Sequence, residues 1–181
     1  MTEIDVGSSA SDRATAASGP VTMIDLQNPA NSNGKITSVE VWFDVNGSDV
    51  KVGTFHGSGT EFTSRDFETI GAVTSGSKQT FNELDIDVQT GDFIGIYFNA
   101  GSPELDASGG VMCMSKSGDQ FGAGEQTYDR AGGPSATFAI SVYGIGAGGQ
   151  IAKINGIDID KIKTINGIDI SKIKNINGIE V

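Results

Sequence analysis

Apolar and polar residues alternate with period two over most of the chain, and the alternating runs are short. In residues 36–45, Val39, Val41, Phe43 and Val45 fall on one side and Glu40, Trp42 and Asp44 on the other, the pattern of a half-buried strand. Residues 79–88 repeat it with Leu84, Ile86 and Val88 opposite Glu83, Asp85 and Asp87, and residues 93–99 bring Ile94, Ile96 and Phe98 to one face. Further strands are expected at residues 21–26, 50–55, 62–70, 111–115 and 136–143, the last with Phe138, Ile140 and Val142 inward. The turn residues agree with this division. Residues 28–34 are a dense turn signal, Asn46-Gly47 predicts a hairpin into residues 50–55, and Thr90-Gly91-Asp92 a turn into the next strand. Residues 100–110 read as a glycine-rich connection and residues 117–134 as a loop. About eight short strands with turn signals between them and no helical period predict an all-β head at residues 21–143, an antiparallel β-sandwich of jelly-roll type. Residues 1–20 are expected to be a polar N-terminal arm, and residues 144–150, which open GIGAGG, a flexible linker.

The last 31 residues, 151–181, follow a different rule: Ile154-Asn155-Gly156-Ile157 returns as Ile165-Asn166-Gly167-Ile168 and again as Ile176-Asn177-Gly178-Ile179, a period of eleven. Such a period suits a right-handed helical supercoil. That reading places Asn-Gly in mid-helix, where the glycine alone costs about 1 kcal/mol against alanine. Strands remove the conflict, because Asn155-Gly156, Asn166-Gly167 and Asn177-Gly178 are each a two-residue type I′ turn signal and Ile is a favoured strand residue. A short repetitive β tail is therefore expected. A lone hairpin is marginal in water, so Ile154, Ile157, Ile159, Ile162, Ile165, Ile168, Ile170, Ile173, Ile176 and Ile179 are the expected oligomerisation residues, buried between copies of the chain. Three chains around an axis is the preferred closed arrangement, a homotrimer.

Charge separates the two parts. Residues 1–150 carry seven Lys and Arg against nineteen Asp and Glu, whereas residues 151–181 carry five against four, and the whole chain has a formal charge of −11. An acidic head repels phosphate backbones, so nucleic acid is not an expected partner. No apolar run approaches the roughly 20 residues of a membrane-spanning helix. The opening MTEIDVGSSASDRATAAS lacks the basic start and apolar centre of a secretory signal, and synthesis in a host cytoplasm is expected.

Residues that could carry chemistry are few. His56 is the sole histidine and Cys113 the sole cysteine, so no Ser-His-Asp set, multi-histidine metal site or CxxC pair presents itself, and no enzyme is expected. Cys113, between Met112 and Met114, reads as a small buried hydrophobe. Glu83, Asp85 and Asp87 are the candidate calcium ligands. Calcium ligands usually come from curved loops rather than straight strands, so a solvated face is the preferred reading and no cofactor is expected. Trp42, Phe121 and Tyr128 are the candidate contacts for a glycan or a neighbouring subunit.

The run from residue 50 to residue 98, VKVGTFHGSGTEFTSRDFETIGAVTSGSKQTFNELDIDVQTGDFIGIYF, followed by the INGIDIDKIK repeats, resembles a group of β-rich structural proteins of tailed bacteriophages and related environmental viruses. The resemblance implies a multimeric virion component, a fibre, spike or capsid-decorating protein, with other virion proteins as partners and no catalytic motif. The alternative is a carbohydrate-binding or adhesion module on a multimeric stalk, with cell-surface glycans as ligands.

Overall fold

The computed structural model describes residues 3–106, 112–133 and 139–148, together with three strand pairs of the tail. It is all-β, with a large antiparallel sheet and no helix among the described residues. The organising element is β4, Gly34–Ser58, a strand of 25 residues. Its first half pairs with β6 (Lys78–Val88) and β13 (Val142–Gly148), and its second half with β5 (Glu61–Val73) and β7 (Phe93–Phe98). Beyond β13 lies β1 (Glu3–Ser8); beyond β7 come β3 (Val21–Asp25), β9 (Cys113–Ser117) and β11 (Asp129–Arg130). Three further pieces complete the set. β8 (Ala100–Asp106) pairs with the middle of β4, with β2 (Thr15–Ala16) and with β12 (Ala139–Ile140), and β10 (Glu125–Thr127) pairs with β5.

Among the described residues the expected inward faces hold, Val45 excepted. Val39, Val41, Phe43, Ile86, Ile94, Ile96 and Phe98 have no exposed surface and pack into one cluster with Ile4, Val6, Ile36, Val50 and Val52. A second cluster lies across β3, β7 and β9. Adjacent residues of a strand point to opposite faces, and Met23 and Cys113 join the first cluster while Ile24 and Met114 join the second. These strands are therefore covered on both sides.

Several expectations fail for identifiable reasons. Asn46-Gly47 does not turn the chain into a hairpin: β4 runs on through it, with register shifts against β5 and β8. A Cβ on Gly47 would lie 2.7 Å from Phe43 Cε1, and one on Gly101 2.6 Å from Gly47 Cα. Glycine here lets β8 cross close to β4. Between Phe43 and Val45 two residues of β4 oppose one of β8, a bulge that turns Val45 outward to 52% exposure. The turn at residues 90–92 leads from β6 into β7, but these two strands pair with β4 rather than with each other.

The arm and the linker are also revised. Residues 3–8, expected within the polar arm of residues 1–20, form β1, whose register against β13 runs from Glu3 opposite Ala147 to Ser8 opposite Val142. Ile4 and Val6 are fully buried. Residues 144–148, expected in the linker of residues 144–150, are the body of β13 between β1 and β4. A Cβ on Gly146 would collide with Lys35 O, so small residues here reflect crowding. The glycine-rich connection at 100–110 begins as β8, and the loop at 117–134 contains β10 and β11. Val111 and Phe138 lie outside the described residues.

One ion pair ties the turn after β6 to β5. Asp92, 2% exposed, accepts from Arg65 Nε at 2.5 Å and Nη2 at 3.0 Å, and its Oδ2 also accepts from the Gln89 N–H at 2.8 Å. Arg65→Ala leaves that carboxylate buried without its cation and is expected to cost about 3 kcal/mol, read from the urea midpoint at neutral pH. Asp92→Asn, which removes the charge as well, is expected to cost less.

Candidate functional site

The tail repeats its geometry as it repeats its sequence. β14 (Lys153–Ile154) pairs with β15 (Ile157–Asp158), β16 (Thr164–Ile165) with β17 (Ile168–Asp169), and β18 (Asn175–Ile176) with β19 (Ile179–Glu180), every pair antiparallel. The innermost partners are Ile154 with Ile157, Ile165 with Ile168 and Ile176 with Ile179. Two residues separate the members of each, the loop length of the tightest hairpins. The turn residues Asn155, Gly156, Asn166, Gly167, Asn177 and Gly178 lie outside the described residues, as do Ile159, Ile162, Ile170 and Ile173. Each hairpin is its own two-stranded sheet, separate from the head and from the other two. Ile168 is 54% exposed and Ile165 partly so. Two rungs do not stabilise a hairpin in water, so these units have unmet packing capacity.

Two of the three expected contact aromatics are not where a ligand could reach them. Phe121, 8% exposed, and Tyr128, 1% exposed, sit in the second cluster. Phe55 packs against both, with ring centroids 5.0 Å from Phe121 and 6.2 Å from Tyr128, and Tyr128 meets Phe62 edge-on at 6.0 Å. Burial, and then the charge of Asp119, push the Tyr128 hydroxyl up to about 12. The segment expected to be a loop thus roofs the outer face of β3, β7 and β9 with aromatic rings. Of the three candidates, Trp42 alone keeps partial exposure; its backbone N–H donates to Ser141 O at 3.3 Å.

Two of the three candidate calcium ligands, Asp85 and Asp87, are committed to Lys35. Lys35 Nζ lies 3.1 Å from Asp85 and 2.7 Å from Asp87, and its pKa is pushed up to about 12 by hydrogen bonding to Asp87 and then Asp85. From β5, Glu68 accepts the Asp85 N–H at 2.6 Å and Asp66 the Asp87 N–H at 2.8 Å. Carboxylates here join β5 to β6 where backbone ladder bonds are absent from the pairing, as neither strand pairs with the other. Glu83 stands at a kink, with φ of 64°, where β6 shifts register against β4. No three His, Cys, Asp or Glu side chains among the described residues form a metal-holding group.

A polar cluster that the sequence reading did not single out lies at the Ser8 end of β1. Arg13 is its centre: Nη1 donates to Asp106 at 2.7 Å, Nε to the Ser141 hydroxyl at 2.7 Å, Nη2 to Ser9 O at 2.7 Å, and its backbone N–H to Glu104. Beside it is a cavity of about 320 Å³ lined by Gly7, Ser8, Ser9, Arg13, Gln27, Asn28, Asp106 and Ala139. Beneath it Asp25 is fully buried, and burial raises its pKa to about 6 against the opposing pull of Ser8, Gln27 and Arg13. The available signal was Asp25 itself, a charge set between Ile24 and Leu26 in an apolar run. Arg13 stands in a Ser-rich stretch with no periodicity to mark it. Compared with family models, curated proteins and solved structures, the chain matches none.

Proposed function

We propose that the chain is a non-enzymatic structural subunit of a virus particle, a fibre, spike or capsid-decorating component, whose β-rich head is carried by a tail that zips copies together. The observation that carries this reading is the threefold recurrence of one hairpin in one register, each a separate two-rung sheet with isoleucines at its innermost pair. Elements with so little internal support gain stability by stacking on equivalent elements. Around a threefold axis, the corresponding hairpins of three chains would share an Ile-lined centre, which is why a homotrimer is the preferred assembly. The head fits a packing module with one large apolar cluster, and the reading takes the two β4-linked ladders as the layers of a sandwich over it. The glycan-binding alternative keeps less support, since Phe121 and Tyr128 are buried.

Mass spectrometry of purified particles, paired with antibody labelling in electron micrographs, tests the proposal. The expected result is the chain at stoichiometric abundance on a regular particle feature. Absence from particles, combined with a strong hit on a glycan array, would replace this reading with the adhesion module.

A further inference from the structure

Asp25 closes β3 with no exposed surface. Its Oδ1 accepts the Gln27 N–H at 2.9 Å, while Oδ2 is sealed from solvent without a hydrogen-bond partner. Ser8, the last residue of β1, faces this carboxyl, and Ser8 Oγ is likewise buried and unpartnered. The two oxygens are near neighbours that do not reach ordinary hydrogen-bond geometry. In the ladder, Asp25 stands opposite Ile94 of β7 and Cys113 of β9. Ile94 supplies no polar group, and the Cys113 thiol is held protonated by burial and then by the Asp25 charge itself. Arg13 is the cation that acts on Asp25, and its guanidinium is already bonded to Asp106, the Ser141 hydroxyl and Ser9 O. An ionised Asp25 would therefore be a buried charge with no bonded counterion, a costly state that favours the neutral acid.

We propose that Asp25 is a proton-operated latch between β3 and the N-terminal strand. Neutral, it stays sealed beneath Ser8 and lets the end of β1 close over it. Ionised, it draws water from the cavity that Ser8 lines, and the Ser8 end of β1 loosens. That end of β1 is otherwise held on one edge by its ladder with β13, which runs to Ser8 opposite Val142, and on the other by the Gly7 N–H donating to Asn28 O at 2.9 Å and the Asn28 amide reaching Asp5 at 3.2 Å and Gly7 O at 3.4 Å.

Because the closed state raises the pKa of Asp25, the latch is fully engaged below the ordinary carboxylate value and released as pH rises through about 6. Hydrogen exchange of the full chain tests it. Corrected for intrinsic rates, protection at Val6, Gly7 and Ser8 is expected to fall roughly tenfold between pH 5 and pH 7.5, the part of the linked change lying in that window. Asp25→Asn, which keeps an acceptor for Gln27 and cannot ionise, is expected to hold the high protection at both pH values. A ¹³C titration of the wild-type Asp25 carboxyl needs no variant and is expected to centre near pH 6. A midpoint in the ordinary carboxylate range, or pH-independent protection of β1, would overturn the latch.

Discussion

A chain ending at Gly148 is expected to lose the oligomeric mass of the full chain and keep its β-sheet. The end point follows from the fold: β13 finishes at Gly148, so the cut spares every ladder of the head. The size of the effect follows from the tail. Each fully buried isoleucine stabilises by roughly 1.5–3 kcal/mol, and ten recur in residues 154–179 of every chain. Partial burial of these rows is enough to offset an association cost of about 4–15 kcal/mol. In the full chain, Ile165→Asp with Ile168→Asp is expected to mimic the truncation, since each places a charge at the innermost pair of the second hairpin. Light scattering and sedimentation velocity at matched concentrations read the outcome. If the shortened chain kept the full mass, the head would be the assembling part and the repeats an arm for some other surface.

Phe55→Ala is expected to destabilise the head by about 3–5 kcal/mol, the range for removing a buried aromatic side chain. Phe55 is fully buried and touches Phe121 and Tyr128, two rings of the roof over β3, β7 and β9. A Cβ on Gly95 would collide with Phe55 Cε2, so the strand beneath is kept bare for this ring and cannot readily refill the space. The loss is expected as a lower urea midpoint, with the roof segment at residues 118–133 cut by protease earlier than the rest. An unfolding free energy within about 1 kcal/mol of the wild type would mean that the second cluster contributes little beyond area burial.

The strand faces were readable from the chain because period two is a local property. Ile94, Ile96 and Phe98 point one way in any strand that contains them, and all three are buried as the alternation predicts. The same holds for the tail, where Ile-Asn-Gly-Ile specifies a two-residue loop and the Ile pair that closes it before any partner is known. β1 carried a signal too, Ile4 and Val6 alternating with Glu3 and Asp5, but four residues of alternation in a polar leader are too few to separate a strand from an arm.

What the local pattern determined, then, was which residues are strand and which side is apolar. Tertiary structure decided which strands meet and what a polar or glycine residue is for. Asn46-Gly47 favours a turn by its own torsional preferences, yet pairing with β5, β6, β7, β8 and β13 along the length of β4 outweighs a local bias of that kind, and the glycine is used for a close crossing. Residues 144–148 look flexible as a glycine run and are rigidly paired because two strands flank them. Lys35 meets Asp85 and Asp87 from 50 and 52 positions away, and Phe121 and Tyr128 become core only when β4 brings Phe55 beneath them. The charge state of Asp25 is likewise a property of its surroundings. A carboxyl in water ionises in the ordinary range, and only the packing of β1, β7 and β9 around this one raises its pKa to about 6, so that the neutral acid persists to a higher pH.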